Sequence, residues 1–294
     1  MAHRHAARAD SGPADDAGRA DLLERILAGR LLVLAPHMDD ETLACGGTIL
    51  LHRDKAAVHC LFATDGAASP APLLPWLGEV DLGLATRRRQ EARNAAGVLG
   101  LPIENLGFLE LPDGGLAPRR AELEAALTTS LERLQPDFVF APFRFDVHPD
   151  HVALNRAARA VLRRKEAPPT LLEYFVYHRL RGVPGGDVRA VLHDDALLKV
   201  DTASVTAAKR AALECYVSQA TLFYPWQERP ILTEESLRRR CAEPEYFLLS
   251  DPHGALAAGI REGSSRIRLA AFAMRVAKQP KDRAVAFARW ALRR

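Results

Sequence analysis

The segment that carries most chemistry reads His-Met-Asp-Asp-Glu at residues 37–41, directly after the aliphatic run 30–36. His37 and Asp40 are three residues apart, and in a turn before a helix this spacing lets an imidazole and a carboxylate converge. Asp39 projects in a different direction. Taken alone, the acids also fit a helix N-terminus, where the helix dipole stabilises negative side chains.

A second segment, His-Pro-Asp-His at residues 148–151, follows the apolar run 136–142. His148 and His151 have the same three-residue spacing, and Pro149 suits the first turn of a helix. Two histidines and a carboxylate, each following a strand, make a three-ligand metal site with open positions for water or substrate. The same residue types also describe the iron site of a non-haem oxygenase, so the residues alone leave both chemistries open.

Apolar runs of strand length alternate with segments of helical periodicity along the chain. The predicted strands are 30–36, 56–64, 104–109, 136–142, 172–178 and 196–201, and the predicted helices are 42–53, 84–99, 119–134, 149–163 and 202–219. The first strands are almost continuously apolar, which is typical of a sheet covered on both faces. This order predicts an α/β fold with a Rossmann-like, mostly parallel sheet and helices on both faces. Ligands bind such sheets beyond the carboxyl ends of the strands, where both polar segments fall.

Composition limits the remaining choices. The 294 residues, 48% of them hydrophobic, suffice for a sizeable core. We expect a flexible segment at 1–20, one domain at 21–255 and a basic helical tail at 256–294. The four cysteines show no paired spacing, which favours reduced thiols and a cytoplasmic protein. No stretch approaches the roughly 18 apolar residues that a membrane-spanning helix needs.

The net charge of +3 is close to balance, but the region 264–294 has nine Lys or Arg residues against Asp282 alone. Such a tail suggests contact with a membrane surface. On a helical projection, however, Arg266 lies nearly opposite Arg268, and no continuous basic face forms. A packed or solvated tail is therefore the favoured interpretation. Nucleic-acid binding is not predicted, because no aromatic residues interleave these charges in a stacking pattern.

The two polar segments together resemble the PIG-L or LmbE-like family of metal-dependent N-acetylglucosaminyl deacetylases. Further matching segments are ATDG at 63–66, RRQEARNAAGVLG at 88–100, LPDGGL at 111–116 and KRAALECYVSQ at 209–219. The resemblance extends from about Leu31 to Gln219. One position departs from the family pattern, since Met38 stands where the family usually has proline and the turn loses a rigid φ.

The resemblance implies a role for each polar residue of the two segments. The metal ligands are His37, Asp40 and His151, the general base is Asp39, the electrostatic or acid catalyst is His148, and Asp150 orients His148. The expected ion is Zn²⁺, with Fe²⁺ or another divalent ion as alternatives. The expected reaction is hydrolysis of the acetamide of an N-acetylglucosamine-type sugar or glycoconjugate, with release of acetate.

Two rival functions stay open at this point. Against an iron oxygenase stand the additional carboxylate of Asp39 and the order of the sheet. A non-catalytic sugar-binding relative would need a damaged metal site, whereas this chain has every ligand that the family pattern requires.

Four residues are candidates for binding the substrate. Arg88 and Asp113 match positions where family members hold sugar hydroxyls, although Arg88 equally fits a solvated helix face and Asp113 a turn. Trp76 and Trp226 lie in two irregular stretches, 68–83 and 218–235, that are rich in apolar residues. We expect the two rings to border the crevice and hold the group beyond the acetylated sugar. The alternative is that they pack on the core.

Three further polar residues receive local interpretations. Asp65 in ATDG is expected to serve a turn or to support the site. Asp146 faces the crevice, at a position where some relatives have a tyrosine that assists the oxyanion. Lys209 is expected to cap a helix or to pair locally.

Overall fold

The computed structural model describes residues 16–70, 83–177, 187, 189, 192 and 196–250. In this part of the chain the strands are β1 (Leu31–Ala35), β2 (Val58–Thr64), β3 (Leu106–Leu111), β4 (Phe138–Pro142), β5 (Thr170–Tyr174), β6 (Leu197–Val200) and β7 (Glu245–Ser250). The α-helices are α1 (Asp16–Ala28), α2 (Asp40–Leu51), α3 (Leu84–Leu99), α4 (Arg120–Leu134), α5 (Pro149–Leu162), α6 (Thr206–Glu214), α7 (Val217–Ala220) and α8 (Glu234–Ala242).

The seven strands form one sheet in the order β3-β2-β1-β4-β5-β7-β6. The strand pairs β1–β2, β2–β3, β1–β4 and β4–β5 are parallel, whereas β7 is antiparallel to both β5 and β6. The predicted α/β fold with a mostly parallel sheet is confirmed. The order of the strands reverses at β1: β2 lies on one side of it and β4 on the other. In sheets of this kind the ligand crevice lies at the point of reversal.

The sheet is covered on both faces, as the apolar strands predict. Leu31 and Val33 of β1 belong to one buried cluster with residues of α2, α3 and α6. Leu32 and Leu34 point the other way, into a second cluster with residues of α4 and α5. This alternation follows from the two-residue period of a strand.

The structure differs from the predicted elements at three places. Helix α1 begins at Asp16, inside the segment 1–20 that was expected to be flexible. The helix predicted at 202–219 is divided into α6 and α7. Helix α8 and strand β7 were not predicted, because α8 is short and strongly polar and β7 has only six residues. The expected basic tail lies outside the described residues.

None of the helices that the structure describes combines the length and the apolar character needed to cross a bilayer.

Candidate active site

The first polar segment begins where β1 ends. The Thr64 backbone N–H and hydroxyl both donate to the Pro36 carbonyl, at 3.0 and 2.8 Å, and fix the chain after the strand. Asp39 then caps α2 with φ of 135°, a conformation that non-glycine residues rarely adopt. Its backbone N–H donates to Glu41 Oε2 at 3.1 Å. Strain of this kind persists where surrounding contacts hold it, typically at functional sites.

The second polar segment follows β4 and begins α5, with Pro149 in the first turn as predicted. His148 is the N-cap of this helix, and its Nδ1 accepts the Asp150 backbone N–H at 3.3 Å. The His148 backbone N–H donates to Asp146 Oδ1 at 2.8 Å. These contacts fix His148 at the start of α5.

The fold brings the three histidines together in a buried cluster. The ring centroid of His37 lies 4.6 Å from that of His148 and 5.4 Å from that of His151. The rings of His148 and His151 are 5.1 Å apart. One nitrogen of each ring lies within 4.8 Å of the others, so the cluster is compact enough to hold a metal ion.

Asp40 contacts two of these rings through one oxygen. Its Oδ2 lies 3.1 Å from His37 Nδ1 and 3.3 Å from His151 Nε2. Ligands of a tetrahedral zinc ion with bonds of about 2.0–2.1 Å are about 3.3 Å apart. The distances from Asp40 Oδ2 to the two ring nitrogens therefore match the separation of two ligands on such an ion.

The other nitrogen of each of these two rings faces a different carboxylate. His37 Nε2 lies 3.2 Å from Asp113 Oδ1 and 3.4 Å from Asp150 Oδ2. His151 Nδ1 lies 3.2 Å from Asp146 Oδ2. A histidine that binds a metal through one nitrogen commonly directs its other N–H to a carboxylate, which fixes the ring.

The residues fit a metal ion, since several buried nitrogens lack hydrogen bonds. His37 Nε2 and both ring nitrogens of His151 make no hydrogen bond of acceptable geometry within the part of the chain described. Buried polar atoms are rarely left unsatisfied in native proteins. An ion between the rings would satisfy His151 Nε2.

Charge around the rings favours a cation. Burial alone would lower the pKa of His151, but Asp40 and Asp146 raise it to about 9. Burial opposes protonation of His37 too, yet Asp113, Asp150 and Asp40 hold its pKa well above the usual range. Both rings therefore hold protons at neutral pH when no ion is bound. Because metal binding needs neutral imidazoles, a bound ion replaces those protons.

Asp39 stands beside this cluster and contacts Arg88. Burial raises the pKa of Asp39 to about 7, although the Arg88 guanidinium acts in the opposite direction. Arg88 Nη2 lies 3.4 Å from Asp39 Oδ2, and the same side chain donates to the carbonyls of Met38 and Gly66. A carboxyl group with a pKa near neutrality is suited to proton transfer.

Comparison with known proteins agrees with this geometry. Residues 32–162 match the family model described as PIG-L, GlcNAc-PI de-N-acetylase. These residues form a PIG-L domain. The match includes both polar segments and, apart from Leu31 at the start of β1, the four strands β1 to β4.

Relatives of the chain are named as deacetylases. It is 27% identical over 289 residues to 1D-myo-inositol 2-acetamido-2-deoxy-alpha-D-glucopyranoside deacetylase of Rhodococcus jostii, covering 81% of this chain and 96% of the relative. It is 31% identical over 127 residues to diacetylchitobiose deacetylase of Thermococcus kodakarensis, covering 42% and 45%. Among solved structures, N,N'-diacetylchitobiose deacetylase of Pyrococcus horikoshii shares the fold, with a TM-score of 0.56, 21% identity and coverage of 83% and 95%.

Several residues of the PIG-L domain have contacts that differ from expectation. Arg88 is only 2% exposed, which excludes the solvated helix face as an interpretation. Asp150 contacts His148 through its backbone N–H, while its carboxylate accepts the N–H groups of Gly114 and Leu116 and faces His37. The expected role of Asp150 in orienting His148 therefore stays a prediction that only the backbone N–H of Asp150 can fulfil, because the neighbouring loop draws its carboxylate toward His37.

Asp113 is placed by a loop after β3. Its Oδ2 accepts the Ala68 N–H at 2.8 Å, and its own N–H donates to Asp65 Oδ1 at 3.1 Å. Asp65 also accepts the N–H of Ala67 at 3.0 Å, which is the expected turn role. Asp113 thus combines a turn position with contact to His37.

The sequence did not reveal a set of buried contacts beneath Asp39. Glu41 receives hydrogen bonds from the hydroxyls of Thr42 and Tyr216 as well as from the Asp39 N–H. Glu91 accepts the Ser218 N–H and hydroxyl, at 2.8 and 2.7 Å. The matching segments at 88–100 and 209–219 were the signal for these contacts, which tie α3 and α7 to the site.

Lys209 is not locally paired, contrary to expectation. It is 1% exposed, and its Nζ donates to Glu245 Oε1 at 2.7 Å. Glu245 begins β7, a strand that the sequence analysis did not predict. The sequence therefore did not reveal Glu245 as the partner of Lys209.

The structure describes one of the two tryptophans that were expected to border the crevice. Trp226 is partly buried and stacks on Tyr224 with ring centroids 5.1 Å apart. Its loop follows α7, where the Gln219 side chain donates to the Ser69 carbonyl at 2.9 Å, next to Arg88. Trp76 lies outside the described residues.

Proposed function

We propose that the protein is a metal-dependent de-N-acetylase that hydrolyses the acetamide of an N-acetylglucosamine-type sugar or glycoconjugate, with zinc as its ion. The observation that carries the proposal is the position of Asp40 Oδ2, 3.1 Å from His37 Nδ1 and 3.3 Å from His151 Nε2. The PIG-L domain and the names of its relatives support the same activity.

The ligands in this proposal are His37, Asp40 and His151. Both rings have a carboxylate on the side away from Asp40, which supports this set over one that uses all three histidines. Two imidazoles and one carboxylate suit Zn²⁺ and leave a position open. When bound, such an ion lowers the pKa of water and polarises a carbonyl group.

Asp39 is the general base in this proposal. Its carboxylate takes a proton from the water that attacks the acetamide carbon, and its pKa near 7 suits that transfer at neutral pH. Arg88 is covered and lies against Asp39, so we assign it to positioning the base rather than to contact with the sugar.

His148 supplies a proton donor on the other side. Because His148 Nδ1 accepts a backbone N–H, its neutral ring carries the proton on Nε2. We infer that this N–H stabilises the developing oxyanion and that the ring in its protonated form can deliver a proton to the leaving amine. The carbon–nitrogen bond then breaks, and acetate and a free amino sugar are the products.

Substrate binding is assigned to Asp113, Trp226 and Trp76 as a further part of the proposal. The contact of Asp113 with His37 supports a position at the sugar. The partly exposed ring of Trp226 supports a role beyond the acetylated sugar.

The experiment combines metal analysis with acetate release. Purified protein should contain about one divalent ion per chain and release acetate from N-acetylated sugars. His37→Ala and His151→Ala should lose the ion, whereas His148→Ala should keep it and lose activity. His59→Ala, a change on β2, is the matched control and should keep both. Loss of the ion from His148→Ala would mean that His148 also belongs to the ligand set.

Oxygen consumption distinguishes the rival activity. An iron oxygenase would consume O₂ in the presence of Fe²⁺, whereas a deacetylase releases acetate without it. Absence of acetate release from every substrate, with the ion bound, would favour the non-catalytic alternative.

A further inference from the structure

A second polar pocket opens at the same edge of the sheet as the three histidines. It lies between α2, the end of β5, α6, α8 and the start of β7, and part of it is open to solvent. Since β7 is antiparallel to β5, the start of β7 lies at the carboxyl end of the parallel strands. The pocket is therefore on the crevice side of the sheet.

Two of the basic side chains in this pocket are neutralised by neighbours. Lys209 Nζ lies 2.7 Å from Glu245 Oε1. Arg189 Nη2 lies 2.6 Å from Asp187 Oδ2 and 3.2 Å from Glu243 Oε2. These pairs leave little positive charge for a ligand.

A third basic side chain, Arg240, has no such partner among the residues that the structure describes. Its Nη1 donates to the Phe175 carbonyl at 2.9 Å, and no carboxylate of the described chain lies within ion-pair distance of it. Burial and the neighbouring Arg239 lower the pKa of Arg240 to about 10. A guanidinium left unpaired in a partly enclosed pocket is costly, and this cost falls when an anion binds. Its planar fork matches the oxygens of a phosphate or carboxylate.

Tyr177 connects this pocket with the histidines. Its ring centroid lies 5.5 Å from that of His151, and its side chain is 44% exposed. Its phenol group lies in the electrostatic field of Arg240. Neighbouring strands are about 4.8 Å apart, so β7, two strands from β4, is about 10 Å away from it. A group attached to a sugar ring spans such a separation.

We propose that this pocket binds an anionic group, a phosphate or a carboxylate, on the part of the substrate beyond the acetylated sugar, with Arg240 as its main contact. This inference rests on the proposed deacetylation and specifies the class of glycoconjugate. Arg189 and Tyr177 border the group, and His151 and Asp39 stay at the acetamide.

The test compares three substrates: the methyl glycoside, the 1-phosphate and the carboxymethyl glycoside of N-acetylglucosamine. Arg240→Gln should lower kcat/KM at least tenfold for one or both anionic substrates and change it less than twofold for the neutral one. The two anionic substrates distinguish phosphate from carboxylate. Arg240→Lys, which keeps the charge but not the fork, should fall between the wild type and Arg240→Gln.

Arg238→Gln is the matched control, because Arg238 is exposed on the same helix and the change in net charge is identical. Its kinetics should equal those of the wild type on all three substrates. Equal losses on neutral and anionic substrates in Arg240→Gln, or no loss on either anionic substrate, would overturn the anion pocket.

A binding measurement separates this inference from the proposed deacetylation. Metal-free protein is titrated with phenyl phosphate and with phenylacetate by calorimetry, so the result does not depend on turnover. The wild type should bind at least one of them at least tenfold more tightly than Arg240→Gln. If no glycoside is hydrolysed but this difference is found, the deacetylation fails and the anion pocket stands; equal binding by both proteins overturns the pocket.

Discussion

Asp146 Oδ2 lies 3.2 Å from Nδ1 of His151, on the side of the imidazole ring away from Asp40. The other oxygen of Asp146 accepts the His148 backbone N–H at 2.8 Å. One carboxylate therefore orients the proposed ligand and fixes the backbone of the proposed acid. This arrangement supports a positioning role for Asp146.

Asp146→Asn should weaken zinc binding by about 10- to 100-fold, because the amide keeps an oxygen for the His148 N–H but loses the charge that orients His151. Competition with a chelating fluorophore measures the affinity. Asp137→Asn is the control, since the Asp137 carboxylate pairs with Arg30 near the opposite end of β4. Unchanged affinity in Asp146→Asn would show that His151 does not depend on this carboxylate.

Zinc affinity should depend on pH in a direction set by His151. Its pKa of about 9 in the ion-free protein means that the ring is protonated below pH 9 and must lose that proton to bind an ion. The affinity should therefore rise by at least roughly tenfold for each pH unit between pH 7 and 9, and more steeply where the His37 ring must also lose its proton. The same competition assay at several pH values measures it. In Asp146→Asn the part of this rise that His151 causes should end at a lower pH, and an affinity independent of pH would contradict the prediction.

Asp39→Asn should keep the metal ion while kcat falls by about 10² or more, because an amide cannot take the proton from water. Metal content and acetate release are measured on the same sample. Asp21→Asn, an exposed change on α1, should leave both unchanged. Near-normal turnover in Asp39→Asn would place the base elsewhere.

The position of the site follows from sequence more directly than its contacts do. The apolar runs before His37 and His148 mark strand ends, and parallel strands present their carboxyl ends at one edge. The contacts of Asp146 and Asp113 with the two rings depend on loops whose course no local pattern specifies. Pairs such as Glu91 with Ser218 join residues 127 positions apart, so only the folded chain reveals them.

The edge of the sheet was the least predictable part of the fold. Strand β7 enters between β5 and β6 although it follows both in the chain. Its six residues carry no signal for that position, and Glu245 at its start looks like an exposed acid. In the structure this carboxylate is buried and accepts the N–H groups of Gly47 and Thr48 at 2.7 and 2.8 Å. A buried carboxylate with such partners needs a cation, which Lys209 supplies.

Lys209→Met should therefore lower the free energy of unfolding by about 3–5 kcal/mol, because it leaves Glu245 charged and without its cation in the core. Chemical denaturation followed by circular dichroism measures the change. Lys199→Met, an exposed change on β6, is the control and should shift stability by less than about 0.5 kcal/mol. Equal stability of the two variants would mean that the Lys209 pair contributes nothing to the fold.

Trp226→Ala should weaken use of an extended glycoconjugate by roughly tenfold, while hydrolysis of free N-acetylglucosamine changes little. The reason is the position of the ring: it stacks on Tyr224 in a loop held by Gln227, which accepts the N–H groups of Phe223 and Tyr224. A partly exposed ring in a fixed loop can contact a distant part of the substrate without touching the metal ligands, so its loss affects binding and orientation.

The measurement is kcat/KM on both substrates, together with the melting temperature. Ile231→Ala, an apolar truncation at the far end of the same loop, should leave the preference unchanged. Equal losses on both substrates, or a lower melting temperature with unchanged preference, would assign the ring of Trp226 to packing instead.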